Sequence, residues 1–278
     1  MFPKRKMSPV LKWAGGKTQL LKEILSNAPE GYNRYFEPFV GSGAVLLALQ
    51  PQSVLINDTN EQLINLYRQL KDNLSVIKAT INTLDGMPCD KEFYYSVRER
   101  YNRKIEVHSL DAECAALMVW INKHCFNGLY RVNSKGLFNV PYNNRSTGKS
   151  IDEFNLDNIS EYLQSSDVEI CCKDFEQACS DVSSGDFVYF DSPYIPESET
   201  ANFTSYTGGG FTSRDHERLA ALFRELDGRG AKVMLSNNDV PLVYDLYDGY
   251  NIRSMDVKRM INCDASRRKG KEVLVTNY

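Results

Sequence analysis

Short runs rich in β-branched and aromatic residues alternate with amphipathic stretches along this chain. That alternation predicts an α/β fold: a mostly parallel sheet with helices on both faces. Residues 35–39 read as a first strand, followed by the turn Gly41-Ser42-Gly43 and a helix over 44–49. Residues 54–58 read as the next strand, with a helix over 61–70, and further strands fall at 168–172, 187–191, 232–236 and 273–276. From 58 to 168 the strand signal lapses. The periodicity there predicts helices over 74–84, 91–105 and 111–125, then a polar, loop-rich segment. The reading is a core built from 1–71 and 166–278, interrupted by a helical insertion over 72–165, with no internal repeat.

Composition narrows the class without changing that picture. A chain of 278 residues, 42% hydrophobic and 25% charged, has ordinary globular character. No apolar run approaches the roughly 20 residues that span a bilayer. The basic start Met1-Phe2-Pro3-Lys4-Arg5-Lys6 is followed by no signal-type apolar stretch. The seven cysteines include no Cys-x-x-Cys pair, so no metal site or disulfide framework is expected, and the location that fits is a reducing cytoplasm. The net charge of −3 argues against a nucleic-acid partner only on average. Between Cys114 and Ile151 there is no acid at all, while Lys123, Arg131, Lys135, Arg145 and Lys149 lie there. Lys4-Arg5-Lys6 with Lys12 and Lys17, and Arg267-Arg268-Lys269-Gly270-Lys271, are two more basic clusters. Three such patches can form a phosphate-binding face on an acidic protein; each alone can also be a solvated face.

The most telling chemistry stands at the end of the 187–191 run. Asp191-Ser192-Pro193-Tyr194 brings an acid, a backbone carbonyl and an aromatic ring together at the tip of a sheet. The carboxylate and the Ser192 carbonyl can accept both hydrogens of an exocyclic amino group while Tyr194 stacks on the heterocycle. Pro193 holds Ser192 extended. Strand, Gly41-Ser42-Gly43 turn and helix place backbone amides at the carboxyl edge, where open sheets bind ligands. The third glycine of a dinucleotide fingerprint is missing, which counts against a pyrophosphate. Asp58, ending the next strand, can grip a ribose diol or simply cap a helix. An adenosine cofactor without phosphate, such as S-adenosylmethionine, suits the pair. Asp174-Phe175 can bond and stack an adenine or start a helix, and Trp13 to Lys17 can mould around a small ligand or pack as a loop.

Taken together and in order, these segments resemble the Dam-type adenine-N6 DNA methyltransferases, including the methylases of GATC restriction systems. The resemblance spans nearly the whole chain: Lys12-Trp13-Ala14-Gly15-Gly16-Lys17, then Glu37-Pro38-Phe39-Val40-Gly41-Ser42-Gly43, then an insertion, then the catalytic tetrapeptide. Phe126-Asn127-Gly128-Leu129-Tyr130-Arg131-Val132-Asn133 and Phe138-Asn139-Val140-Pro141 within the insertion, and 201–206 after the tetrapeptide, are similar to family segments as well. The resemblance implies a Rossmann-like methyltransferase core, S-adenosylmethionine as cofactor, double-stranded DNA as partner and a target-recognition role for the insertion. In restriction systems it also implies a partner nuclease. It places cofactor contacts on Trp13, Ala14, Gly15, Lys17, Glu37, Phe39, Gly41, Asp58, Asp174, Phe175 and Asp191. DNA-reading positions fall on Lys12, Phe126, Asn127, Leu129, Arg131, Asn133 and Pro141, and the catalytic residues on Asp191, Ser192, Pro193 and Tyr194. Arg131 can face a guanine edge, Phe126 can wedge into the stack left by a flipped base, and Asn127 can face the orphaned partner.

Two departures stand out. Ser192 replaces the family's usual second-position proline, which keeps the carbonyl and loses loop rigidity. Tyr142-Asn143-Asn144-Arg145 follows Pro141 where many members have an aromatic and then Gly-Arg-Tyr, so one base or phosphate contact is altered. Cytosine-N4 methylation, RNA methylation, and a DNA-binding protein disabled at Ser192 are the competing readings.

Overall fold

The computed structural model describes residues 6–17, 20–145, 148–196, 210–258 and 269–278. In chain order the elements are α1 (Leu21–Asn27), β1 (Tyr35–Glu37), α2 (Ala44–Leu49), β2 (Ser53–Asn57), α3 (Glu61–Asp72), α4 (Leu74–Asp85), α5 (Lys91–Glu106) and α6 (Ala112–His124). A 3-10 turn (Phe126–Gly128) follows. Then come α7 (Glu153–Ser165), β3 (Asp167–Cys171), α8 (Phe175–Ala178), β4 (Phe187–Phe190), α9 (Ser213–Gly228), β5 (Lys232–Asn238), α10 (Pro241–Leu246), β6 (Asn251–Lys258) and β7 (Lys269–Thr276).

One seven-stranded sheet runs in the order β3-β2-β1-β4-β5-β7-β6. β3, β2, β1, β4 and β5 are mutually parallel, and β7 lies antiparallel between β5 and β6. This is the Rossmann-like methyltransferase arrangement. The connections from β1 and β4 leave in opposite directions, so the carboxyl ends of these two neighbours flank the sheet's switch-point crevice.

Strand alternation decides which helices cover which face. Tyr35, Val54, Ile56, Phe187 and Tyr189 point into one core with Ile24, Leu46, Leu63 and Ile159 from α1, α2, α3 and α7. Phe36, Leu55, Val188 and Phe190 point into the other, with Phe175, Leu219, Phe223 and Val243 from α8, α9 and α10. Both strands of the crevice are buried on both faces, as a parallel sheet requires. α6 is buried all round except at Glu113 and Lys123, so it forms the axis on which α3, α4 and α5 pack. Asp90 and Asp111 cap α5 and α6 by accepting from the Phe93 and Cys114 amides.

Most expected element edges move by one or two residues, β7 begins four residues earlier than expected, and α7, α9, α10 and β6 are among the additional elements. α7 occupies part of the stretch read as polar loop. Its apolar positions Leu156, Ile159 and Leu163 recur at helical spacing, and the Asp152 side chain caps it. α9 carries a capping box between Thr212 and Asp215. Short α10 begins with Pro241, and β6 is an edge strand whose pattern is half polar because one side faces water.

Candidate active site

The two crevice strands deliver their acids to one place. Glu37 ends β1 almost wholly buried, its Oε2 accepting from the Tyr35 hydroxyl at 2.9 Å. Burial pushes its carboxyl up to about 8, the Asp191 charge adding and the Tyr35 bond opposing. Asp191 follows β4, and Lys17 Nζ reaches its Oδ1 at 2.5 Å. Burial pushes Asp191 upward too, opposed by the Lys17 ammonium. Lys17 also donates to the Gly15 carbonyl at 2.7 Å and lies 4.4 Å from the centre of the Tyr194 ring. Ser236 Oγ joins Asp191 Oδ1 at 3.3 Å and shares a 2.9 Å bond with the Tyr189 hydroxyl. Both neighbours thus meet Oδ1, and among the described residues Oδ2 has no partner, so a donor from outside can reach it.

The loop after Asp191 is held from three sides. Asn237 Oδ1 accepts from the Ile195 amide at 2.9 Å, Asn238 Nδ2 donates to the Ile195 carbonyl at 2.8 Å, and the Tyr194 hydroxyl donates to Glu272 Oε2 at 2.8 Å. β5 and β7 therefore tether this loop at Tyr194 and Ile195. Ser192 is buried, and its hydroxyl has no hydrogen-bond partner among the described residues. Pro193 is exposed and Tyr194 half-buried.

On the other side of β1 the Gly41-Ser42-Gly43 turn is fixed by its neighbours. Asp58 Oδ2 accepts from the Gly41 amide at 3.2 Å and its Oδ1 from the Asn60 amide at 2.9 Å. Burial raises the Asp58 carboxyl, opposed by those amides. The Tyr67 hydroxyl donates to the Gly41 carbonyl at 2.9 Å, and a Cβ on Gly43 would stand 2.6 Å from that hydroxyl at a φ of +71°. Glycine is thus required there by both space and backbone. A Cβ on Gly41 would press against the Trp13 ring at 3.3 Å. Asn57 ties the edge together, donating to the Pro38 and Lys173 carbonyls at 3.0 Å each. Beyond it Asp174 caps α8 through the Glu176 amide and pairs with Arg218 at 2.9 Å. Phe175 is buried, 5.4 Å from Phe39 between ring centres, and Phe211 closes this aromatic group. Acids, a tight glycine turn and an aromatic wall fit an uncharged adenosine with a cationic tail. They offer no cluster of basic groups for a pyrophosphate.

A second surface lies on the far side of Trp13. That ring stacks on Tyr130 at 5.0 Å, while Ala14 and Gly15 are exposed. Lys12, Phe126, Asn127, Arg131, Asn133 and Pro141 are all exposed, and Leu129 is half-buried. Phe126 leaves 52% of its surface open. Asn127 takes a φ of +56° at the tip of the 3-10 turn. A short hairpin follows, with bridges from Cys125 to Tyr142 and from Val132 to Phe138. Arg131 Nε donates to Asn139 at 2.7 Å, and the Asn133 side chain accepts the Lys135 and Leu137 amides to close the hairpin tip. In the departing stretch, the Tyr142 hydroxyl turns inward to the Cys89 carbonyl at 2.7 Å.

The sequence reading missed Ser236, Asn237, Asn238 and Glu272. A polar Ser-Asn-Asn run closing an apolar strand was the signal for the first three. Lys4, Arg5, the segment 201–206 and Arg267-Arg268 lie outside the described residues. Among the described residues there is no cluster of metal-ligating side chains, and no helix is long and apolar enough to cross a membrane. The six described cysteines are free.

Comparison with known proteins points the same way. A family model described as D12 class N6 adenine-specific DNA methyltransferase matches residues 13–261. A type II methyltransferase of Lactococcus lactis subsp. cremoris is 44% identical, covering 98% of this chain and 96% of its own length. A type II methyltransferase of Methanocaldococcus jannaschii is 43% identical, covering 98% and 99%. A DNA adenine methylase of Haemophilus influenzae is 33% identical, covering 98% and 94%.

Proposed function

The chain belongs to the D12 class N6 adenine-specific DNA methyltransferases, and on that premise we propose that it methylates N6 of an adenine swung out of duplex DNA, within GATC, using S-adenosylmethionine. The observation that carries the reading is the tethered Asp191–Tyr194 loop, with Asp191 Oδ2 unengaged among the described residues and so left for an outside donor. The amino group of adenine is a poor nucleophile because its lone pair is conjugated with the ring. Hydrogen bonds from N6 to Asp191 Oδ2 and the Ser192 carbonyl draw the nitrogen toward tetrahedral geometry and aim its lone pair. Tyr194 stacks on the extruded base, worth roughly 1–3 kcal/mol and comparable with the few kcal/mol that extrusion costs. Lys17 opposes the upward push of burial on the Asp191 carboxyl, and as a carboxylate Asp191 can stabilise the positive charge that develops on N6 and then receive the surplus proton.

The cofactor, when bound, supplies a methyl group on a cationic sulfur. Glu37, the Gly41 turn, Asp58 and the Trp13–Lys17 segment would hold its amino-acid and ribose portions, and Phe39, Asp174 and Phe175 its adenine. Positioning dominates such a reaction, and no covalent protein nucleophile is required. We place DNA reading on Lys12, Phe126, Asn127, Leu129, Arg131, Asn133 and Pro141, with residues 72–165 as the target-recognition insertion. A partner nuclease recognising the same sequence would complete a restriction system.

The test is incubation with labelled S-adenosylmethionine and two duplexes, one containing GATC and one with those bases scrambled, followed by nucleoside analysis. N6-methyladenine from the GATC duplex alone is the expected result. N4-methylcytosine, or label spread evenly over both duplexes, would overturn the assignment.

A further inference from the structure

Asn122 is the one uncharged amide among the apolar residues of α6, and it is 3% exposed. A buried amide must place two donors and an acceptor, and this one places all three on backbone. Its Oδ1 accepts from the Lys12 amide at 2.9 Å, and its Nδ2 donates to the Lys12 and Gly128 carbonyls at 3.0 Å each. Turning the amide over would set oxygen against two carbonyls and nitrogen against an N–H, so its orientation is determined. One side chain thus pairs with Lys12 as a neighbouring strand would, and pins the Phe126–Gly128 turn to the same point. Gly128 completes the joint from the other side. At a φ of +66° its missing Cβ leaves room for the Lys12 stem, which such an atom would meet at 2.5 Å from Cδ and 2.9 Å from Cβ.

Lys12 therefore lies across the turn that carries Phe126 and Asn127, and all three are exposed. Five residues on, the same chain segment presents Lys17 to Asp191. We propose that Asn122 is a specificity-positioning residue: it sets Lys12 in register with the 126–129 turn, so that the two read DNA as one unit. This rests on the reading that Lys12 and the turn meet DNA. Asn122 itself touches no substrate and acts through the backbone of Lys12 and Gly128. Asn122→Asp keeps the shape and the acceptor for the Lys12 amide, and sets a carboxylate oxygen against the Lys12 and Gly128 carbonyls. Gly128→Ala pushes the Lys12 stem aside while leaving Asn122 whole.

The experiment measures single-turnover methylation by wild type, Asn122→Asp, Gly128→Ala, Lys12→Ala and the doubles with Lys12→Ala. Each is assayed on GATC and on duplexes with one outer base pair replaced. Either joint variant is expected to lose roughly tenfold or more of the discrimination between these duplexes, the size of one good base contact. Adding Lys12→Ala should then cost little further discrimination, because the joint acts through Lys12. Gly128→Ala keeps the test decisive if Asn122→Asp fails to fold. A joint variant that slows all duplexes by one common factor, or whose effect adds in full to Lys12→Ala, overturns the inference. A wild type that methylates all duplexes alike overturns the proposed function, and this inference with it.

Discussion

The crevice between β1 and β4 and the hairpin after α6 solve opposite problems. At the crevice, polar groups are engaged within the protein: Asp191 by Lys17 and Ser236, Asp58 by Gly41 and Asn60, Tyr194 by Glu272. At the hairpin, Phe126, Asn127, Arg131 and Asn133 face outward, and their bonds are local, closing the turn that bears them. The first arrangement suits chemistry, where a group that must reorganise during reaction loses rate. The second suits recognition, where the partner completes the bonding. Asn122 is where the two meet.

The contrast breaks most visibly at Asp191. Asp191→Ala is expected to lower the methylation rate by roughly 10²–10³-fold or more, while filter binding to duplex DNA stays near wild type. Robust turnover would remove the amino-group clamp from the account. Arg131→Ala should act in the opposite sense, with its effect confined to discrimination. Preference at one base pair should fall by roughly 1–3 kcal/mol, with the saturated rate on the best duplex retained. Equal losses on every sequence would make Arg131 a phosphate contact.

Glu272→Leu takes the acceptor from the Tyr194 hydroxyl, and kcat should fall about tenfold with DNA affinity unchanged, while Glu272→Gln restores the bond and most of the rate. If both variants behave alike, Tyr194 is held by its ring packing alone. Glu37 links the crevice to pH. Its folded value of about 8 lies above the ordinary 4.5, so between those limits the unfolded chain binds fewer protons and stability falls as pH rises. Melting of ligand-free wild type and Glu37→Gln should therefore favour the variant more at pH 8 than at pH 5. A gap that does not change with pH would contradict the buried, protonated acid. The smallest effect is expected at Ser192→Ala, which removes a buried hydroxyl without a partner among the described residues. Activity should stay within a few-fold and the melting temperature should hold or rise, whereas a collapse of rate would make the hydroxyl itself a reacting contact.

How much of this was legible beforehand follows from the range of the forces involved. Parallel strands buried on both faces leave dense apolar runs, so β1, β2, β4 and β5 were visible, and with them the place where Asp191 emerges. β6 escaped because an edge strand needs only one apolar side. α7 escaped because its apolar positions are diluted by the polar residues of its outer face. The catalytic motif was readable because its residues adjoin one another. Its tethers were not, since Asn237 and Glu272 reach it across the sheet from β5 and β7. Likewise Lys12 and Asn122 stand 110 residues apart, and only the fold brings them to 2.9 Å. The exchange of a proline for Ser192 was legible as a departure, whereas the bonds that tether Ile195 and Tyr194 were not.

The division between a preassembled crevice and an outward-reading hairpin is tested most directly by single-turnover methylation with saturating enzyme. Asp191→Asn and Arg131→Ala would each be assayed on GATC and on the same duplex with one guanine pair replaced. The account predicts that Asp191→Asn loses rate equally on both duplexes, and that Arg131→Ala keeps its rate on GATC while gaining on the replaced duplex. Loss of discrimination with Asp191→Asn, or an equal slowing of both duplexes with Arg131→Ala, would contradict it.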